Sequence, residues 1–251
     1  DELFGGYNRY FGTQKWWNLI QATPKALRRS VAYGLSKPEP AAWDRLGQGI
    51  AAVSGNKARW GNFGNRMQKL AAVLLVEDSS SLYRHFVSHW SDPASVVIDG
   101  VEPTTCITQP RFSLDNIVEQ MMLLDSVSYL PDDILVKVDR AAMGVSLETR
   151  VPFLDHRLVE FAWQLPLSMK VCDGQGKWVL RQVLYKYVPR ELIERPKMGF
   201  GVPIDSWLRG PLRDWAECLL DESRLRREGF FYPAPIRQKW AEHLSGRCNW
   251  Q

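Results

Sequence analysis

Between positions 132 and 150 the chain gathers Asp132, Asp133, Lys137, Asp139, Arg140, Glu148 and Arg150. On a helix, Asp133, Lys137 and Arg140 fall at i, i+4 and i+7 and share one face, with Asp132 and Asp139 on the strip beside it. Such a face is either solvated and laced by ion pairs, or one wall of a site for a charged substrate. Lys197 stands in RPKMGFGVP, whose glycines and Pro203 cannot continue a helix, so its ammonium is presented on a loop. Read alone, it is an ordinary exposed lysine. Asp1 and Glu2 precede an apolar pair and two glycines, a tight turn entering a helix; the carboxylates there serve to cap that helix or to hold a cation. His85 and His89 are spaced as a ligand pair, but no third ligand is near in sequence and they read as a surface pair. GNFG at 61–64 lacks the Lys-Ser/Thr of a phosphate loop.

Helices must position these groups. Pro131, with Asp132 and Asp133 behind it, suits a helix start, and Ile134, Val138, Ala141 and Val145 then form the stripe expected to be buried. Helical spacing also marks Ala41 to Val53 and Arg66 to Leu75, separated by a Gly- and Asn-rich loop over 55–65. Residues 92–111 read as a connector, after which Ser113 is expected to cap a helix carrying Ile117, Val118, Met121 and Leu124. Further helices are expected around Leu158 to Leu165, over Lys177 to Val188 with Leu180, Val183, Leu184 and Tyr187 inward, and over 205–220. The tail from Asp221 is expected to fray apart from a short helix around Trp240.

The 251 residues, 45% hydrophobic, suffice for one large domain or two small ones. Cys106, Cys172, Cys218 and Cys248 lie far apart with no C-x-x-C, which speaks against a disulfide framework or a zinc site and for a reducing compartment. No run of eighteen apolar residues occurs and the N-terminus is acidic, so a soluble, cytoplasmic chain is expected, with no membrane partner. The net charge of +4 suits a phosphate-bearing ligand but is too small to argue for nucleic acid. Of the 11 tryptophans, Trp163, Trp178, Trp207 and Trp215 sit in amphipathic patterns and are expected in the core.

Residues 139–156, DRAAMGVSLETRVPFLDH, resemble the segment D-R-x-x-M-x-x-S-L-E-x-R-V-P-F-L-D of glutamine-dependent asparagine synthetases and their relatives. ERPKMGFGVP at 194–203 is similar to the lysine loop of the bacterial branch of that family, and DELFGGY at 1–7 to the tail of its S-G-x-G-x-D-E-x-F-G-G-Y motif. The motifs follow the family's order and cover the ends and central half of the chain, while 11–110 match only loosely.

The resemblance implies a mainly α chain: the helical C-terminal portion, residues 1–251, of an α/β adenine-nucleotide synthetase domain of ATP-pyrophosphatase type. The sheet, the S-G-G-x-D-S loop and the N-terminal glutaminase domain would lie upstream, in a longer protein, and the fragment alone would be inactive. The implied activity is an ATP-dependent amide-forming ligase, which activates a carboxylate as an acyl-adenylate for attack by ammonia released from glutamine. ATP and Mg2+ are the implied cofactors, with aspartate or a similar carboxylate as substrate and a second copy of the chain as a further candidate partner. By the resemblance, Asp1 helps hold the metal, Lys197 is catalytic and with Gly199 binds the nucleotide, and Arg140, which matches a family position, is a further catalytic candidate. Asp133 is the nearest counterpart of the family's reaction-centre acid, which eukaryotic-type members place one residue closer to Asp139, where this chain has Ile134. Glu148 and Arg150 are expected to form a buried network fixing the V-P-F-L-D segment. Met198 to Pro203 depart from the acidic and S-D-G residues that many synthetases carry after the lysine, which leaves room for a substrate other than aspartate. A β-lactam synthetase-like ring closure, an amidotransferase of secondary-metabolite or polysaccharide synthesis and a non-catalytic helical interaction module are the alternatives.

Overall fold

The computed structural model describes residues 1–54, 63–90, 92–109, 112–194, 202–246 and 250. Lys197, Gly199 and most of the expected 55–65 loop lie outside the described residues. The chain divides into two compact units, one built from Asp1–Pro24, Glu77–Phe86 and Thr104–Lys197, the other from Lys25–Val76, Val87–Pro103 and Met198–Gln251. Helices dominate both, as the 3.6-residue periodicity predicts. Among the described residues the sheet structure is a two-stranded hairpin, Val171–Cys172 with Gln175–Gly176, and an isolated bridge, Val97 to Phe231. No helix among the described residues is long and apolar enough to cross a membrane. Cys106, Cys172 and Cys218 are free thiols.

In the first unit, helix Asn8–Ala22 packs on helix Ile117–Val127. The latter buries Ile117, Val118, Met121, Met122 and Leu124 as its spacing requires, each side chain contributing about 2 kcal/mol of burial. Its cap is Asn116, whose side chain accepts from the Val118 and Glu119 amides at 2.8 and 3.4 Å. Ser113 lies too far upstream to reach the first turn, which corrects the expected cap. The chain then runs almost without a break into a π-helical turn, Leu130–Leu135, and helix Val136–Met143. Pro131 therefore sits inside a wider turn rather than opening a helix. Gly144 closes the helix and Ser146 turns left-handed at φ 58°, so Val145 is outside it.

The stripe expected to be buried is largely not. Ile134 is partly buried, but Ala141 is exposed, Val138 is 42% exposed and Val145 77% exposed, because none of the described elements covers that side of the helix. Glu148 and Arg150 do pair, but at 71% and 77% side-chain exposure they form a surface pair and not a buried network. Asp155 caps helix His156–Gln164 through the Arg157 amide at 3.0 Å. The helix expected over 177–188 is shorter, Trp178–Leu184, and leaves Val183, Leu184 and Tyr187 exposed.

In the second unit, helices Lys25–Ser36 and Pro40–Ser54 both pack on Phe63–Leu74. Arg28 is buried and donates to the Val76 carbonyl at 2.9 Å, so it closes a helix end instead of lying solvated. The expected helix over 205–220 is two, Ile204–Arg209 and Arg213–Leu219, parted at Gly210 and Pro211, and Trp207 and Trp215 are exposed. The described part of the tail is more helical than expected: Glu222–Glu228, capped by Asp221 and ended by Gly229 at φ 73°, packs on Pro233–Leu244, where Trp240 is buried.

Candidate active site

The Asp1–Tyr7 segment is a tight turn pinned from several sides. Leu3 and Phe4 are buried with Ala162, and Val159, Trp163, Leu165, Val179 and Leu180 pack against them. This apolar anchor fixes the turn, and the glycines let it close. Gly5 is left-handed at φ 65°, and a Cβ there would overlap the Val171 side chain. From the other side, a Cβ on Gly176 would overlap the Gly5 carbonyl and fall 2.9 Å from Phe11 Cζ. Hairpin and turn thus touch backbone to backbone, and the Lys177 amide donates to the Phe4 carbonyl at 2.8 Å.

The two acidic residues divide their roles. Glu2 is buried and accepts the Tyr7 hydroxyl at 2.6 Å; burial first and then the Glu2 charge push that phenol far above its usual range, so it stays a donor. Asp1 instead points its carboxylate at the Lys177 ammonium, in direct contact with Oδ1. Burial, with Arg181 nearby, pushes that ammonium below the ordinary lysine range although Asp1 lies against it. Gly6 is the space that admits this pair, since a Cβ there would overlap both Asp1 Oδ1 and Lys177 Cε.

Arg181 then links this turn to the approach of the lysine loop. Its Nε donates to the Gly176 carbonyl at 3.1 Å and its Nη1 to Glu194 Oε1 at 2.9 Å. Glu194 also accepts from Gln175 at 3.3 Å and from the Tyr185 hydroxyl, which with Arg181 holds its carboxyl below the usual range. Glu194 is therefore fixed to the elements that carry Lys177.

Behind the turn lies a polar cluster that sequence reasoning missed. Asp125, fully buried, accepts from Tyr83 at 2.6 Å, from Arg9 Nε at 3.2 Å and Nη2, and from Tyr10. Arg9 also lies over the rings of Tyr7 and Tyr129, at 4.6 and 5.2 Å. Tyr10 and Tyr83 are pushed well above the usual phenol range, by burial first and by Asp125 after it. With every oxygen engaged, the cluster is architectural: it ties helix Asn8–Ala22 to Ile117–Val127 beneath the Asp1 turn. No local motif announces it, because its members are up to 116 residues apart.

Asp133 and Lys137 form an i, i+4 pair at 2.8 Å on an exposed surface, and Arg140 and Asp132 are exposed. Asp1 is brought to Lys177 rather than to this face. His85 lies on helix Ser79–Val87 whereas His89 is beyond its end, so the two do not share a helical face. Among the described residues, no group of three or more His, Cys, Asp or Glu could hold a metal by itself. A lone Asp1 carboxylate nonetheless suits Mg2+, which keeps waters and takes most of its remaining ligands from phosphates. In the second unit, an open cleft of about 650 Å³ is lined by Asp214, Glu217, Asp221, Glu228, Arg224 and Arg227. Arg224 pairs with Glu228 at 2.7 Å, and Glu217 with Arg237 at 2.6 Å, so part of the charge lining the cleft is taken up in ion pairs.

The profile of the family described as asparagine synthase matches residues 1–251. The chain belongs to the asparagine synthase family. A putative glutamine-hydrolysing asparagine synthetase of Mycobacterium tuberculosis is 33% identical over 231 residues, covering 89% of this chain and 32% of the relative. Asparagine synthetase [glutamine-hydrolyzing] 1 of Bacillus subtilis is 36% identical over 132 residues, 53% of this chain and 21% of its own length. The asparagine synthetase of Bos taurus is 32% identical over 136 residues, 46% of this chain and 23% of the relative. This asparagine synthase-family chain thus spans about a third of the length of its M. tuberculosis relative. No solved structure matches it significantly.

Proposed function

We propose that this chain is the C-terminal part of a synthetase domain in an ATP-dependent amide-forming ligase of the glutamine-hydrolysing asparagine synthetase type. In this reading a carboxylate is activated by ATP as an acyl-adenylate and then attacked by ammonia. The observation that carries it is the clamped glycine turn, which sets the Asp1 carboxylate beside a lysine ammonium while Arg181 ties Glu194 to the same hairpin. Lys197 follows Glu194 by three residues, and three residues of chain reach at most about 11 Å. In this reading the loop, starting from an anchor on the hairpin that carries Lys177, would bring Lys197 to the triphosphate whose metal Asp1 would hold.

Mg2+, when bound with ATP, neutralises charge on the phosphate oxygens. Asp1 would supply its protein carboxylate, and Glu2, committed to Tyr7, would keep the turn in shape. Lys197 would meet the charge that develops as pyrophosphate leaves, and Gly199 would let the loop backbone come close. Arg140 and the Asp133–Lys137 pair would form an adjoining charged wall. The carboxylate that is activated, and that passes its acyl group to ammonia, is aspartate or one like it.

Lys197→Ala in the full-length protein should lower ATP–pyrophosphate exchange about a hundredfold or more while leaving glutamine hydrolysis nearly intact. Near-normal exchange in that variant would sink the reading at its most specific residue.

A further inference from the structure

Lys177 is held with more care than a surface ion pair requires. Its backbone is left-handed at φ 58°, a conformation that a residue with a Cβ keeps only where its surroundings enforce it. Here they do: its amide is fixed to the Phe4 carbonyl at 2.8 Å, and the preceding Gly176 is pressed against the Gly5 carbonyl. Gly6, by lacking a Cβ, leaves the path along which the lysine stem reaches Asp1. The resulting pair is only partly shielded, with side chains 38% and 36% exposed. An ion pair that open adds little to stability, so stability does not account for the strained backbone or the glycine.

We propose that Lys177 is a phosphate-binding residue that covers the Asp1 carboxylate while no metal is present and turns to a pyrophosphate oxygen when metal and triphosphate arrive. The inference rests on the reading of Asp1 as the metal carboxylate. An ammonium and a divalent cation repel one another and cannot both occupy Asp1 Oδ1. A triphosphate that brings the metal also brings oxygen acceptors next to it. The lysine stem, fixed at its root and flexible beyond, allows the exchange of acceptor without moving the turn. No covalent bond changes; the ammonium trades a carboxylate oxygen for a phosphate oxygen.

The test uses Lys177→Gly and Lys177→Asn in the full-length protein, since both residues adopt the left-handed backbone and neither carries a cation. Mn2+ binding is followed by electron paramagnetic resonance without nucleotide, and pyrophosphate binding by calorimetry with Mg2+. Removing the competing ammonium should tighten Mn2+ about two- to fivefold, whereas pyrophosphate should bind about tenfold more weakly or worse. A residue that merely props the turn would weaken both together, and that result, or no change in either, overturns the proposal. Asp1→Asn separates the two readings. If it leaves Mn2+ affinity unchanged, the metal assignment falls and this inference with it; if it abolishes Mn2+ binding while both Lys177 variants leave both constants unmoved, the inference alone falls.

Discussion

Tyr83 gives its hydroxyl hydrogen to Asp125 Oδ1 at 2.6 Å, across 42 positions of sequence, and so helps satisfy a carboxylate with no exposure to water. The same carboxylate holds Arg9, whose side chain is 24% exposed. Asp125→Ala would leave that guanidinium and two phenols without their acceptor, and should destabilise the fold by about 3 kcal/mol. Tyr83→Phe removes one donor and should cost about 1 kcal/mol. Urea midpoints at constant m-value measure both; an Asp125→Ala loss no larger than that of Tyr83→Phe would show that the cluster is not a shared anchor.

Lys170 sets up a pH dependence. It is fully buried, its Nζ has no hydrogen-bond partner among the described residues, and it lies 4.9 Å over the Trp163 ring. Burial holds its pKa below the ordinary 10.5, with Glu119 pulling weakly the other way. The folded state therefore releases this proton at lower pH than the unfolded chain does. Stability should rise with pH between the depressed value and 10.5, and the full penalty should persist below that window. Lys170→Met, of similar shape without the charge, should be more stable than the parent at pH 7 by about 1 kcal/mol. The gap should shrink as pH approaches 10.5, and denaturant titrations at several pH values would read it directly. A gap that widened would reverse the sign argued here.

Two glycines that look equivalent in sequence should respond differently to a methyl group. At Gly176 the obstacle is the Gly5 backbone carbonyl, which cannot step aside, so Gly176→Ala should cost about 2 kcal/mol or more in thermal or urea unfolding. At Gly6 the obstacles are the ends of the Asp1 and Lys177 side chains, which can rotate away. Gly6→Ala should leave stability within about 1 kcal/mol of the parent yet lower Mg·ATP-dependent pyrophosphate exchange in the full-length protein more than tenfold. Equal stability losses would mean that the turn is not clamped as described.

Glu194→Gln tests the anchor of the lysine loop. The Glu194 side chain is 40% exposed, so stability should change by less than about 1 kcal/mol. Exchange activity in the full-length protein should nonetheless drop about tenfold, because a loop freed at its base spends less time over the phosphates. Unaltered activity would detach Glu194 from the site.

What the sequence makes legible is whatever depends on near neighbours. Ile117, Val118, Met121 and Leu124 announce their buried helix because burial repeats with the helical turn, and they are buried. Glycines at 5 and 6 announce a turn for the same local reason. The stripe Val138, Ala141 and Val145 shows the limit: periodicity says which side of a helix is apolar, not whether anything lies over it. Arg9 and Asp125 were invisible because their pairing is a product of tertiary packing. Lys177 was visible only as a residue after a turn; the signal that it does something more is its left-handed backbone, which no residue type other than glycine advertises in advance.

The π turn at Leu130–Leu135 bears on the charged helix that follows it. Such a turn takes one residue more per revolution than an α-helical one, and so behaves as a built-in expansion joint. A chain with one extra residue between an acidic side chain and Asp139 need not swing that side chain to a new compass bearing, because the wider coil absorbs the surplus rotation. The one-residue offset at Asp133 then becomes a difference in spelling that leaves the direction of the carboxylate open to conservation. The joint makes its own prediction for sequence comparison: relatives lacking the surplus residue should run through this stretch as plain α-helix.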